Sequence, residues 1–216
     1  GLQTVEGNLT FRQNSVDYER DTDEWRAGYQ IDLPALTTLG GGLYVTRGNS
    51  NGNSRLMRLS ADNLTSLLTL YIEDYSSINA LSLAKLKTVT GDVFFSSVGL
   101  SDLSGLPSLE EIGGSLTLTN MPNLKNVDAL SALTTVKNLT VFNTGLQALS
   151  GLSALTTVTG DLQILANSRL GDVDGLSALA SINGALLVQS NPSLPDVNGL
   201  SGLSSVGADL TITSNG

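Results

Sequence analysis

Apolar residues return along this chain every 23 or 24 positions. The clearest stretches read LSALTTVTGDLQILANSRLGDVDG (Leu152–Gly175), LSALASINGALLVQSNPSLPDVNG (Leu176–Gly199) and LSGLSSVGADLTITSNG (Leu200–Gly216). Each holds an L-x-[IVLF] run in which apolar and polar side chains alternate, the period of a strand with one buried face. The first apolar residue of that run is Leu9, Leu43, Leu70, Val93, Leu116, Leu139, Leu162, Leu186 or Leu210. The alternation turns Leu9 and Phe11, Leu43 and Val45, and Val93 and Phe95 inward. Upstream, L-x-x-[VIL] (Leu133/Val136, Leu155/Val158, Leu179/Ile182) supplies a second buried edge. Gly113–Gly114 or Gly160 then lets the backbone turn, and a third apolar pair follows the strand, as at Leu170/Val173 and Leu194/Val197. No stretch within a repeat is long enough for a real helix. One such coil cannot bury its apolar side chains alone, so coils must stack. The pattern predicts a mostly β, right-handed solenoid of about nine coils with a parallel sheet, one domain over residues 1–216.

The outward position between the two inward strand residues is Thr10, Tyr44, Tyr71, Phe94, Thr117, Thr140, Gln163, Leu187 and Thr211. Coils stack about 4.8 Å apart, so Tyr44, Tyr71 and Phe94 are expected to form a ladder of rings on the sheet surface. Tyr75, just beyond the third strand, is expected to extend it. A second outward trio, Phe142, Leu165 and Leu187, is less aligned, and scattered exposed apolar residues are normal. An Asn recurs just after the strand, at Asn14, Asn120, Asn143, Asn167, Asn191 and Asn215. Asn tolerates turn geometry and bonds backbone groups, so these are expected to form one structural column rather than a ligand site.

The regular spacing fails twice, before Leu43 and before Leu70. Insertions are therefore placed at 15–30 and 46–63. The first is charged and carries Tyr18, Trp25 and Tyr29; the second is polar, with Arg47, Arg55 and Arg58. Nine of the ten aromatic residues lie at or before Phe95, and six of the seven Arg at or before Arg58. Such a concentration points to the N-terminal half as the binding half, because exposed aromatics rimmed by polar groups mark interaction sites. The competing expectation is that the insertions fold over the ladder, with Trp25 as a plug. The acidic run Asp17, Glu19, Asp21, Asp23 and Glu24 lacks the Gly and the bidentate Glu of a Ca²⁺ loop and reads as a solvated loop. Of three N-x-[ST] sequons, Asn8 and Asn138 directly precede buried strand residues, whereas Asn63 lies in a loop.

Composition narrows the chemistry. The chain has no Cys and no His, which excludes disulfides, thiol chemistry and imidazole ligands; no metal or cofactor is expected. A net charge of −9 argues against nucleic acid and anionic membranes as partners. No run of about 18 apolar residues exists to cross a membrane. Both ends fall inside repeats, so the chain is expected to be a segment of a longer protein.

The pattern L-x-x-L-x-x-V-x-G-x-L-x-I-x-x-N-x-x-L resembles the leucine-rich repeats of the receptor L-domain superfamily, over nearly the whole chain. The resemblance implies an extracellular or cell-surface ligand-binding solenoid, and the lack of Cys favours a bacterial or fungal type of surface protein. The outward positions offer Glu73 and Asp74 but no carboxylate cluster repeated across coils, so an enzyme is not expected. Thr pairs such as Thr117/Thr119 suggest ice binding only weakly, because Tyr71, Phe94, Gln163 and Leu187 interrupt the array. The favoured expectation is an adhesion or binding module for an extracellular protein, peptide or glycan. Its anchors would be Tyr44, Tyr71 and Phe94, with Trp25, Tyr29, Arg47 and Tyr75 around them. The alternative is a passive spacer or stalk.

Overall fold

The computed structural model describes residues 1–13, 29–47 and 56–216. One strand from each repeat enters a nine-stranded sheet: Leu9–Gln13, Leu43–Arg47, Leu70–Glu73, Val93–Ser96, Leu116–Met121, Leu139–Thr144, Leu162–Leu165, Leu186–Gln189 and Leu210–Thr213. They pair in parallel and in chain order. The register keeps equivalent residues opposite one another, for example Leu116 with Leu139 and Leu139 with Leu162. Leu43, Leu70, Leu116, Leu139, Leu162 and Leu186 are buried in one continuous core. The inward row ends at Leu210 and Ile212, which are 59% and 42% exposed because a coil covers them on one side only.

Each L-x-x-[VIL] edge also stacks. Two-residue strands such as Thr135–Val136, Thr157–Val158, Ser181–Ile182 and Ser205–Val206 form a short parallel sheet of their own. The third side differs along the molecule. In the later coils it is a single 3₁₀ turn, at Asp128–Leu130, Ser150–Leu152, Asp174–Leu176 and Asn198–Leu200. Gly151, Gly175 and Gly199 lie there with their Cα against the carbonyl of Val127, Leu149 or Val173, where a Cβ would have no room. In the first three coils this side is instead a parallel sheet of Tyr29–Asp32, Leu56–Ser60 and Ala80–Ser82.

That sheet corrects the insertion boundaries. Residues 29–30 and 56–63, assigned above to insertions, belong to the framework: Arg58 lies opposite Gln30 on one side and Ala80 on the other. Thr46 and Arg47 likewise end a strand of the main sheet. Backbone pairing with the neighbouring coils holds these residues, whatever the polarity of their side chains. The added residues thus fall within 14–28 and 48–55, which lie outside the described residues.

A left-handed residue lies at the end of each of the seven main strands from Leu70–Glu73 onward. Asp74, Ser97, Asn120, Asn143, Ala166, Ser190 and Ser214 all have φ between 50° and 61°. One such residue reverses the alternation and turns the next side chain inward. Those next residues are Tyr75, Val98, Met121, Thr144, Asn167, Asn191 and Asn215. Two sequence expectations change here. Tyr75 does not extend the outward ladder; it is 2% exposed in the core, its hydroxyl donating to the Thr46 carbonyl at 3.4 Å. The Asn residues form two columns, not one. Asn120 and Asn143 occupy the left-handed position, joined by a 2.9 Å bond from Asn143 Nδ2 to Asn120 Oδ1. Asn167 and Asn191 are buried one position later, followed by a half-buried Asn215.

Candidate functional site on the outward sheet face

Tyr44, Tyr71 and Phe94 project from the middle of three consecutive strands, and the register sets Tyr44 opposite Tyr71 and Tyr71 opposite Phe94. The rings of Tyr71 and Phe94 stack with centroids 4.6 Å apart and planes within 7°. Tyr44 and Tyr71 are 6.0 Å apart and tilted by 37°. All three are half-buried. Offset stacking of this kind adds about 0.5–1.5 kcal/mol per pair beyond area burial. The ring faces between Tyr71 and Phe94 cover each other. Those left for a partner are the ring edges and the two ends of the stack, toward Thr10 and Thr117.

The ladder is anchored on one flank. The Tyr71 hydroxyl donates to Glu73 Oε2 at 2.7 Å, two residues along the same strand. Burial, together with the hydrogen bond to Glu73 and the charges of Glu73 and Asp74, pushes the phenol up to about 12. A phenol so placed is a committed donor at neutral pH. Tyr44 leans the other way: its ring lies over Gly42, where a Cβ would stand 2.5 Å from Cε2 and 2.9 Å from Cζ. Gly42 thereby gives the ring its seat. Sequence reasoning placed Glu73 outward but missed its bond to Tyr71, and missed Gly42; the spacing Tyr-x-Glu and Gly-x-Tyr on one strand was the available signal.

A second hydrogen-bonded spine also escaped notice. The residue just before four of the strands accepts a backbone N–H from the following coil. Asn8 accepts from Gly42 at 2.8 Å, Asp92 from Ser115 at 2.7 Å, Asn138 from Asp161 at 2.9 Å and Asp161 from Ala185 at 2.8 Å. The recurring Asn or Asp at that position was its signature. Asn8 and Asn138 are therefore structural, whatever their sequons. Asn63 bridges coils differently, with Nδ2 on the Pro34 carbonyl and Oδ1 taking a bond from Lys85 Nζ, both at 2.7 Å.

The remaining expected site residues are not all on this face. Arg47 ends the second main strand, half-buried and in register with Gln13. Tyr29 opens a strand of the separate three-stranded sheet, opposite Leu56, and so does not share a sheet with the ladder. Trp25 lies outside the described residues. The second outward trio divides between two rows: Phe142 is opposite Leu165, but Leu187 is opposite Gln163.

Comparison with known proteins adds one lead. The chain is similar to the cell wall protein ecm33 of Schizosaccharomyces pombe. The two are 29% identical over 129 residues, which is 59% of this chain and 30% of that protein. The chain thus spans under a third of the length of the relative it matches. No family model matches, and no solved structure matches significantly. Among the described residues no helix is long and apolar enough to cross a membrane.

Proposed function

We propose that this solenoid is a non-catalytic cell-surface module that binds an extracellular protein, peptide or glycan on the outward face of its main sheet. The surface role draws support from the distant similarity to a fungal cell wall protein. The binding role rests chiefly on one observation, the in-register stack of Tyr44, Tyr71 and Phe94 at partly exposed positions. Aromatic anchors give large contact area at little rotamer cost, and the Tyr hydroxyls keep a polar handle. Both long connections leave the main sheet next to this stack, after Gln13 and after Arg47. Arg12 and Arg47 on the first two strands suit carboxylates, whether of a peptide or of an acidic sugar. Glu73 on the third suits a donor.

The test is binding of the chain to isolated cell walls and matrix from its source, beside a Tyr44→Ala/Tyr71→Ala/Phe94→Ala variant of unchanged denaturation midpoint. The variant is expected to lose binding. Equal binding by both proteins removes the ladder as the site. Absence of binding by either favours the spacer reading.

A further inference from the structure

The outward face changes character at the fourth coil. On the first three coils it carries Arg12 and Glu73, with Asp74 at the left-handed position beside them. From the fourth strand to the ninth, its first outward row is Phe94, Thr117, Thr140, Gln163, Leu187 and Thr211. Its second row is Ser96, Thr119, Phe142, Leu165, Gln189 and Thr213. The left-handed column beside them reads Ser97, Asn120, Asn143, Ala166, Ser190 and Ser214. None of these residues is charged, in a chain with 31 charged side chains, 11 basic and 20 acidic. The face spans six parallel strands, about 24 Å at the usual strand spacing. On its other flank, Asp92 and Asp161 point their carboxylates along the stack, each onto a backbone N–H of the next coil.

We propose that this uncharged face, which shares only Phe94 with the aromatic ladder, holds an extended neutral polysaccharide. Charge decides the class. A polyanion is repelled by a molecule of net charge −9, and a cationic partner finds no counter-charge on these rows. A protein partner would be expected to meet Tyr, Trp or Arg anchors, and the outward rows of strands four to nine hold none of them. What they do hold matches sugar chemistry. Thr, Ser, Asn and Gln each donate and accept, as sugar hydroxyls do. Phe142 and Leu165, opposite one another, with Leu187 diagonal to Leu165 on the next strand, give an apolar centre for the C–H face of a sugar ring. Phe142 is 37% exposed, the most accessible aromatic of these six coils. A regular strand repeat also suits a ligand that repeats along its own length.

The experiment is a pull-down of the full chain on insoluble β-1,3-glucan, chitin and cellulose, with alginate as the anionic counterpart, at low salt and at about 1 M NaCl. Two variants accompany it, each checked for an unchanged denaturation midpoint. Thr140→Lys/Gln163→Glu places opposite charges on neighbouring strands and leaves the net charge as it is. Phe142→Ser/Leu165→Ser removes the apolar centre. The expected result is salt-insensitive binding to at least one neutral polymer, weakened about tenfold or more in both variants, the scale of about 1.4 kcal/mol of lost contact. Failure to bind any of the three polymers, binding abolished by salt, or full binding by both variants overturns the proposal. So does ice shaping, or self-association, that disappears in the variants, since the face then belongs to ice or to a second copy. The ladder is separated by a Tyr44→Ala/Tyr71→Ala variant. If that variant loses polymer binding while Thr140→Lys/Gln163→Glu keeps it, the polymer lies on the ladder and this inference falls alone.

Discussion

The side-chain oxygen of Asn191 accepts two bonds from Asn167 one coil earlier, from the backbone N–H at 2.9 Å and from Nδ2 at 3.2 Å. Asn191 Nδ2 in turn donates to the carbonyls of Ile164 and Gln189. The unit repeats: Asn167 Oδ1 takes the N–H and hydroxyl of Thr144, and Asn215 Oδ1 takes the N–H and Nδ2 of Asn191. Each Asn satisfies the turn before it and is satisfied by the turn after. Asn191→Ala would orphan the buried backbone N–H of Asn167, whose Nδ2 keeps the carbonyls of Val141 and Leu165. Its expected cost is about 1–3 kcal/mol, that of one buried group left unpaired. Urea denaturation reads it, and a loss under about 0.5 kcal/mol would contradict a column held by these bonds.

Leu162 and Leu210 hold the same place in their strands but different burial, 0% against 59% exposed. Leu162→Ala should cost about 2–5 kcal/mol, through lost transfer energy and the cavity left behind. Leu210→Ala should cost well under half of that, because little area and no closed cavity are involved. Equal losses in the two denaturation midpoints would refute a stack in which position along the axis sets the energy.

Gly42→Ala tests the seating of Tyr44. The new Cβ would crowd the ring and also stand 3.0 Å from the Thr69 carbonyl oxygen. The ring, at the end of a flexible side chain, is expected to swing off the stack while the fold survives. Near-ultraviolet circular dichroism should change with the far-ultraviolet signal retained. Gly175→Ala puts a Cβ against the Leu149 carbonyl instead. Backbone cannot swing away, so overpacking there should cost about 1–3 kcal/mol or more.

Tyr71 should ionise late, with its phenol at about 12 owing first to burial and then to Glu73. An unfolded tyrosine titrates near 10. The folded state therefore holds this proton more tightly. Its contribution to stability is fully present below pH 10 and is lost as pH rises from about 10 to about 12. Absorbance titration of the Tyr44→Phe protein reads the shift. Glu73→Gln keeps the burial and removes the charge, so it should bring the phenol part of the way back toward 10; an unchanged titration would deny Glu73 that role.

The sequence by itself determined the solenoid, the register of the main sheet and the ring ladder. All three follow from period-two alternation repeated at a fixed spacing, which is local information that stacking only replicates. The sequence also held, unread, the distinction between the two Asn columns: Asn120 and Asn143 are four residues past Leu116 and Leu139, whereas Asn167 and Asn191 are five past Leu162 and Leu186. Only the tertiary structure decided what that single step means. One left-handed residue per coil reverses the facing of the chain, so Tyr75 and Asn191 turn into the core although alternation alone sends them outward. No pattern of apolar and polar residues encodes such a reversal, because Asp74, Ser97 and Ala166 share a backbone angle and nothing else. The framework status of Tyr29–Asp32 and Leu56–Ser60 was equally a tertiary matter. Their side chains read as loop, and it is the backbone N–H and C=O groups of the neighbouring coils that make them strands.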